Sequence, residues 1–496
     1  MGTTTEMEKK RNRRIILNAL SAAAQVIVVG LIYFILYHYL VSKLGPSQLG
    51  IWALVISTTS IANFANFGIT SGLVKFVADF RETHDNESMH RLVFTAFLSI
   101  VVFFAILILA GYLGINFILK LVVDAKFIKL ALRLLPWSLL CLFLNEAGSI
   151  YSSILEGFQR NYVRNIIYII SAVLFLGLSF LWVPRFGMMG VAYAQAIQSL
   201  IILISAFFCG SSLINGFTLF KWNWDKIIFK KLIAYGSRFQ LVSLFQLLYE
   251  PGTKLLLSHF GGLAAVGYYE MASRLVNQVR ALIVSANQVM IPVVAQASFK
   301  GTEEVRKLYL RTMSATLFVN APLICGLITF SAFISLFWIG HVEPAFMFPL
   351  LVLSITMFFN VMCGPAYYSS LGQGKLGLLV YIHLFMAFFN LSLGLLLGHF
   401  LSSNGVILSW GITFTTGSLL LIIFFQRNML ISFARLFSQS DILLISIAAA
   451  FALVAVLLSQ NFSYSKHRLV LTLVSFGVVF VPLLLSNHNL KRLTRR

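Results

Sequence analysis

Charged side chains are scarce in this chain: 11% of its 496 residues are Asp, Glu, Lys or Arg, against roughly 25% in an ordinary soluble domain. With 59% apolar residues, a water-soluble fold would lack the polar side chains to coat its surface, which excludes a large soluble protein with an oversized core. Acidic residues are scarcer still, 16 against 37 Lys and Arg, for a net charge of +21. The basic residues form short clusters between apolar runs, the pattern of cytoplasmic loops, and no patch on a polar domain. Nucleic acid is therefore not an expected partner, whereas anionic membrane lipids are. Cysteine is limited to Cys141, Cys209, Cys325 and Cys363, all in or beside apolar runs and none in a CxxC pair, so they read as small hydrophobes. The nine histidines show no metal-ligand spacing, and there is no Walker loop, HExxH or GxSxG motif. No cofactor and no enzymatic reaction is expected.

What the chain has in abundance is long apolar runs. A spanning helix needs about 20 mostly apolar residues, and such runs lie near 15–41, 49–70, 90–115, 130–157, 163–183 and 188–210. After a polar segment come 233–258, 262–290, 306–338, 345–370, 376–400, 404–426, 441–459 and 468–487. The first run follows Lys9, Lys10, Arg11, Arg13 and Arg14 but is too long for the roughly 7–15-residue core of a cleaved signal peptide, and reads as a retained membrane helix. The expected fold is all-α and integral to the membrane, with about 14 transmembrane helices. An even count places both termini on one side. Clusters such as Lys226, Lys230 and Lys231, or Lys300, Arg306, Lys307 and Arg311, make that side the cytoplasm. Lys120, Lys126, Lys129 and Arg133 run against the rule.

The chain also repeats itself. Gly45-x4-Gly50 recurs as Gly262-x4-Gly267. Gly157 at the start of one polar turn has a counterpart in Gly372, and Gly190-Val191 has one in Gly405-Val406. Three matches in one order at nearly one offset indicate an internal duplication. The expected organisation is a six-helix bundle over 1–210, a cytoplasmic linker over 211–232, a second six-helix bundle over 233–428, and two additional helices with a basic tail over 429–496. Six helices per copy insert both copies the same way, so a pathway is expected between two bundles.

Several stretches carry a resemblance. Leu44-Gly45-Pro46-Ser47-Gln48-Leu49-Gly50-Ile51-Trp52-Ala53-Leu54 is similar to the opening motif of polysaccharide-biosynthesis transporters, as is Asn66-Phe67-Gly68-Ile69 with Gly72 and Lys75. Phe260-Gly261-Gly262-Leu263-Ala264-Ala265-Val266-Gly267-Tyr268-Tyr269-Glu270-Met271-Ala272 resembles the same family's turn between the seventh and eighth helices, and Pro184–Ala192 its turn between the fifth and sixth. The resemblance, over about residues 12–430, is to the oligosaccharidyl-lipid branch of the multidrug/oligosaccharidyl-lipid/polysaccharide exporter superfamily. It implies a bacterial cytoplasmic membrane protein that flips undecaprenyl-diphosphate-linked oligosaccharide units for O-antigen, capsule or exopolysaccharide, alongside a polysaccharide polymerase machinery. The alternative within the superfamily is a cation-coupled multidrug exporter.

Ionisable groups inside a span are costly and so mark candidate sites. Glu250 and Lys254 are four apart on one expected helix, Glu270 and Arg274 four apart on the next, each with the acid first, the favourable order. They can neutralise one another to fix packing, or Lys254, Arg274 and Arg280 can receive a diphosphate, for which Arg offers a bidentate fork. Arg280 can instead snorkel to the headgroups. Pro251-Gly252 between Glu250 and Lys254 is a candidate hinge. Glu146 has no basic residue three or four positions away; it is a candidate, with Glu250 and Glu270, for binding the H⁺ or Na⁺ of a coupling gradient, or it has a partner on another helix. Asn63, Asn66, Gln240, Gln246, Asn287, Gln288 and Asn320 can hydrogen-bond sugar hydroxyls or join helices together. The topology makes a direct expectation: a reporter fused after Arg496 is active only as a cytoplasmic reporter, and periplasmic activity there would require an odd number of spans.

Overall fold

The computed structural model describes residues 2–66, 68–214, 223–288, 290–374, 377–432, 439–461, 472 and 474–480. Among them the regular structure is helical: fifteen α-helices and one 3-10 helix. They are α1 (Gly2–Leu44), α2 (Pro46–Ser60), the 3-10 segment Ile61–Asn66, α3 (Ile69–Glu82), α4 (Asn86–Val122), α5 (Ala125–Gly157), α6 (Asn161–Phe186) and α7 (Met188–Ser211). There follow α8 (Lys226–Gln288), α9 (Met290–Lys300), α10 (Thr302–Thr329), α11 (Ser331–Ile339), α12 (Pro344–Met362), α13 (Gly364–Gly372), α14 (Gly377–Asn428) and α15 (Gln439–Asn461). Eight of these, or of their segments, are long and apolar enough to cross a membrane. The protein is a multi-pass, all-α membrane protein. Its outer face agrees: Leu109, Leu113, Phe117 and Leu121 form a stripe along α4, with Leu109 78% exposed, as suits a helix face against lipid. The α8 segments, expected as the seventh and eighth spans, are not among those eight, and the last expected helix, 468–487, lies largely outside the described residues. So does 215–222 of the expected linker.

Contacts divide the chain into two compact units, Met1–Gly267 and Tyr268–Arg496. In the first, α7 packs on α5 and α6, α6 on α1, and α3 on α4 and α5. Ile69, Leu73, Val77, Leu92, Val93, Phe104, Ile150 and Tyr151 form a core between α3, α4 and α5. The expected second helix at 49–70, with a loop beyond, is corrected by the structure. Gly68, in the left-handed conformation at φ 70°, starts a separate helix, α3, that runs to Glu82. Its buried face is Ile69, Leu73 and Val77, a spacing of four that holds an amphipathic helix against the core while Lys75 and Arg81 stay outside it. Asp85 then caps α4, accepting from the Ser88 amide at 3.0 Å, and its hydrogen bonds to Ser88 hold its carboxyl below the ordinary value. The end of the linker is pinned to α4: the Trp224 indole donates to Ser99 Oγ at 3.3 Å and the Asp225 amide to Thr95 Oγ1 at 3.0 Å. In the second unit α12 packs on α10 and α14, and α15 on α10. All four cysteines are free.

The helix breaks fall on or near the duplicated glycines. Within α8 the non-helical residue is Gly262 (φ 72°, ψ 177°), and within α14 it is Ser402 (φ 53°). At about 1.5 Å per residue α14 would be roughly 78 Å long if straight. Instead Ser409 Oγ donates to the Asn390 carbonyl at 2.9 Å, so the element is an antiparallel hairpin. A Cβ on Gly405 would stand 2.0 Å from the Leu397 carbonyl oxygen, eight residues back; one on Gly190 would stand 2.7 Å from that of Trp182, also eight back. Both hairpins close by the same backbone contact. Gly157 lies against Val74 and Val77 of α3, and Gly372 against Ile291 and Val294 of α9. One shift along the chain carries Val74 to Ile291 and Val77 to Val294. The duplication in the sequence is thus a duplication of contacts.

Gly405→Ala puts a methyl group into a backbone carbonyl and is expected to destabilise by roughly 1–3 kcal/mol. Gly177, mid-α6, has no atom within 4 Å of where its Cβ would lie and is the control: Gly177→Ala is expected to be neutral or stabilising by roughly 0.5–1 kcal/mol. Melting of the two purified variants in detergent measures the contrast; equal melting temperatures would remove the close approach as a constraint.

Candidate functional site

The charged pairs of α8 form as their spacing implies, with opposite orientation. Lys254 Nζ reaches Glu250 Oε1 at 2.7 Å, with the lysine side chain 3% exposed and the glutamate 61%. Arg274 Nε reaches Glu270 Oε1 at 2.8 Å, with the arginine 45% exposed and the glutamate 4%. The first pair therefore presents a carboxylate and the second a guanidinium. Burial decides which end is available: Lys254 is enclosed, and Arg274 is reachable. A half-exposed guanidinium inside a membrane is tolerated facing water or a partner and is costly facing hydrocarbon.

Pro251 and Gly252 keep helical backbone within α8; the helix is broken eleven residues after Pro251, at Gly262. Loss of one amide at Pro251 costs a single ladder bond, whereas the left-handed φ at Gly262 redirects the chain. Arg280 does not stand alone: its Nε donates to Asn360 Oδ1 at 2.9 Å. Glu146 has a partner on another element, accepting from Asn66 Nδ2 at 2.5 Å, and Asn66 Oδ1 accepts from both the amide and the hydroxyl of Thr70 at 3.3 Å. The shift along the chain that carries Asn66 to Arg280 also carries Glu146 to Asn360, but it is three residues short of the one that carries Gly45 to Gly262 and Val74 to Ile291. Each unit thus holds a polar contact between elements, acidic in the first and basic in the second.

Among the described residues a further charged pair joins α5 to α6. Glu156 of α5 and Arg164 of α6 form an ion pair, each side chain about a third exposed. A signal for it lies in the sequence: Ser149, Ser152, Ser153 and Glu156 are spaced as one polar stripe on α5, and Arg164 and Tyr168 as another on α6. Its place between two apolar runs marks Arg164 only as a loop cation. Of the amides that could contact sugar, Asn287 is buried and its Oδ1 accepts from Thr316 at 3.1 Å; Asn320 donates to the Phe358 carbonyl at 2.9 Å. The side chains of Gln240, Gln246 and Gln288 lie outside the described residues. No cluster of three or more potential metal ligands occurs among the described residues.

Residues 16–298, more than half of the chain, match the model of the family described as polysaccharide biosynthesis protein. The chain belongs to that family. Individual proteins match the chain as well. A Shigella flexneri protein provisionally described as an O-antigen transporter is 22% identical over 350 residues, covering 70% of this chain and 82% of its own length. The lipid II flippase MurJ, in an inward closed conformation, superposes with a TM-score of 0.74 at 15% identity, covering 94% of this chain and 98% of MurJ. An inward-facing multidrug resistance MATE family transporter of the MOP superfamily gives 0.69 at 15% identity, covering 83% and 98%. At these identities the structural likenesses are likenesses of fold. The family membership implied by the motifs at Leu44–Leu54 and Phe260–Ala272 stands.

The Glu270–Arg274 geometry has a consequence for stability. Arg274→Ala removes an ionic partner from a carboxylate that is 4% exposed and is expected to lower the folded amount in the membrane; adding Glu270→Gln is expected to restore part of it, with a coupling of about 0.5–3 kcal/mol. A double-mutant cycle on thermal unfolding in detergent measures the coupling, and additive effects would show that the pair contributes nothing as a pair.

Proposed function

We propose that this protein is a flippase, not an enzyme, moving undecaprenyl-diphosphate-linked oligosaccharide units of O-antigen, capsule or exopolysaccharide across the bacterial cytoplasmic membrane. Both termini lie in the cytoplasm, and a polysaccharide polymerase acts on the product. The observation that carries the reading is Arg274. It lies 12 residues beyond the break at Gly262, about 18 Å along a helix at 1.5 Å per residue, so deep within a core about 30 Å thick. Buried Glu270 holds its guanidinium at Nε, and a planar group with five donors can turn others toward a second acceptor. A diphosphate can take two of them at once. Membership of the family and likeness to the O-antigen transporter relative support the same substrate class.

The transport cycle requires a group whose occupancy differs between states. Glu146, bonded to Asn66 across the interior of the first unit, is the candidate for H⁺ or Na⁺ coupling. Arg280, held on Asn360 in the same unit as Arg274, is the second proposed basic contact, whereas Lys254 is enclosed against Glu250. The rival reading, a cation-coupled multidrug exporter, is favoured by one observation: the outward end of the first α8 pair is the carboxylate of Glu250, 61% exposed, which suits an organic cation.

Deletion separates the two. The flippase reading expects loss of a surface glycan with drug sensitivity unchanged; intact glycan with new sensitivity to cationic drugs would establish the exporter instead. Within the flippase reading, the neutral double variant Glu270→Gln/Arg274→Gln avoids an orphaned buried charge and is expected to insert at near-normal levels. Its export should fall by about 100-fold or more if two charge-assisted hydrogen bonds are lost, while Arg274→Lys, keeping charge without the fork, retains partial export. Normal export by the double variant would remove Arg274 from the site.

A further inference from the structure

A polar pocket of about 200 Å³ opens in the first unit, between α3, α5 and α6. Thr70 and Ser71 of α3, the α5 stripe Ser149, Ser152, Ser153 and Glu156, and Arg164 with Tyr168 of α6 line it. It lies toward the end of α5 that precedes Arg160, on the side expected to be cytoplasmic. None of these residues belongs to the α8 pairs on which the proposed diphosphate contact rests. Its size is below the roughly 300–1,000 Å³ of pockets for drug-sized ligands, so it suits one small ring and not a whole oligosaccharide.

The hydrogen-bond inventory of the walls selects the ligand. Ser149 Oγ donates to the Glu146 carbonyl at 2.6 Å, Ser153 Oγ to the Ser149 carbonyl at 2.8 Å, and Thr70 Oγ1 to Asn66 Oδ1 at 3.3 Å. With their single protons committed inside the protein, these hydroxyls offer the pocket acceptor lone pairs only. Glu156 is likewise an acceptor. Arg164 is the charged donor: one terminal nitrogen holds Glu156, the other reaches Asn165 Oδ1 at 3.3 Å, and its buried Nε has no hydrogen-bond partner. A free anion would meet these acceptors and the Glu156 carboxylate, and a metal cation or ammonium would meet the guanidinium, while the buried Ser152 Oγ, without a hydrogen-bond partner, can donate as well as accept. An apolar molecule would leave the serines and the ion pair unsatisfied. A neutral ring whose hydroxyls each donate and accept satisfies both kinds of wall, and Tyr168 adds an aromatic ring of the kind that packs against the apolar face of a sugar.

We propose that this pocket is a subsite for a single neutral sugar ring, held by Ser149, Ser153, Glu156 and Arg164 with Tyr168 beside it. The proposal rests on the reading of the protein as a carrier of sugar units and adds to it a first contact for the glycan, separate from the diphosphate contact at Arg274. In a transported unit the ring would be one residue of the oligosaccharide, engaged from the expected cytoplasmic side.

The test uses the full-length protein in lipid nanodiscs and a panel of methyl glycosides: a hexose, a 6-deoxyhexose and an N-acetylhexosamine. Saturation-transfer NMR is expected to detect binding of at least one of them. Ser153→Leu fills the pocket and should weaken that binding by about tenfold or more, as should Glu156→Gln, which keeps the volume and alters the acceptor. The neutral Glu270→Gln/Arg274→Gln variant should bind the same glycoside as well as wild type does. If Ser153→Leu unfolds, Glu156→Gln alone decides. Binding by none of the glycosides, or equal binding by wild type and both pocket variants, overturns the subsite. Deletion that leaves every surface glycan intact overturns the flippase reading instead, whatever the glycosides do.

Discussion

Close approach of backbones at glycine is the constraint on which the rest of this fold depends. Lipid is as apolar as the helix surfaces it surrounds, so helices in a bilayer gain little from hiding leucine from the solvent; van der Waals contact between small residues must hold them together. The first unit carries this to its limit where α2 meets α8. A Cβ on Gly50 would lie 1.9 Å from the Leu263 carbonyl oxygen, and one on Gly267 would lie 2.1 Å from that of Pro46. The two glycines are counterparts in the duplication, and each touches the residue four positions before the other. The motif is therefore a packing device before it is anything else.

Polar chemistry is laid over that frame and has diverged between its copies. Each unit has a polar contact between elements, but with different chemistry: Asn66 with Glu146 in one, Arg280 with Asn360 in the other. The α8 pairs show the same division. Helical spacing ensures that Glu250 meets Lys254 and Glu270 meets Arg274, but burial of the lysine in one and of the acid in the other gives the pairs opposite outward charge. A balanced pair by sequence is a polarised one in space.

The hydroxyl-lined pocket follows from the same scarcity of polar groups. Serines in membrane helices satisfy their own protons on the preceding turn of backbone, as Ser149 and Ser153 do, and can be buried without a further partner. They remain able to accept. Set on one stripe of α5 with Glu156, opposite the guanidinium of Arg164, they make a surface that discriminates by hydrogen-bond sense and not by net charge.

The class of the protein, its helical architecture, the duplication and the family are legible in local quantities: apolar run length, charge clusters and glycine offsets. So are the pairings of Glu250 with Lys254 and of Glu270 with Arg274, since four residues is about one helical turn. Which member of each pair is buried is set by packing, since exposure depends on what neighbouring helices cover. The tertiary structure alone joined Glu146 to Asn66 and Arg280 to Asn360, each 80 residues apart in the chain, where no periodicity reaches. It kept helical backbone at the candidate hinge Pro251-Gly252 and set the break between the seventh and eighth runs at Gly262, because a proline costs a helix one hydrogen bond while a left-handed φ turns its axis. And it gathered Glu156 and Arg164, ordinary residues at the two ends of a turn, into a pocket with the serines of α5, because a stripe on one helix becomes a wall only when a second helix stands opposite.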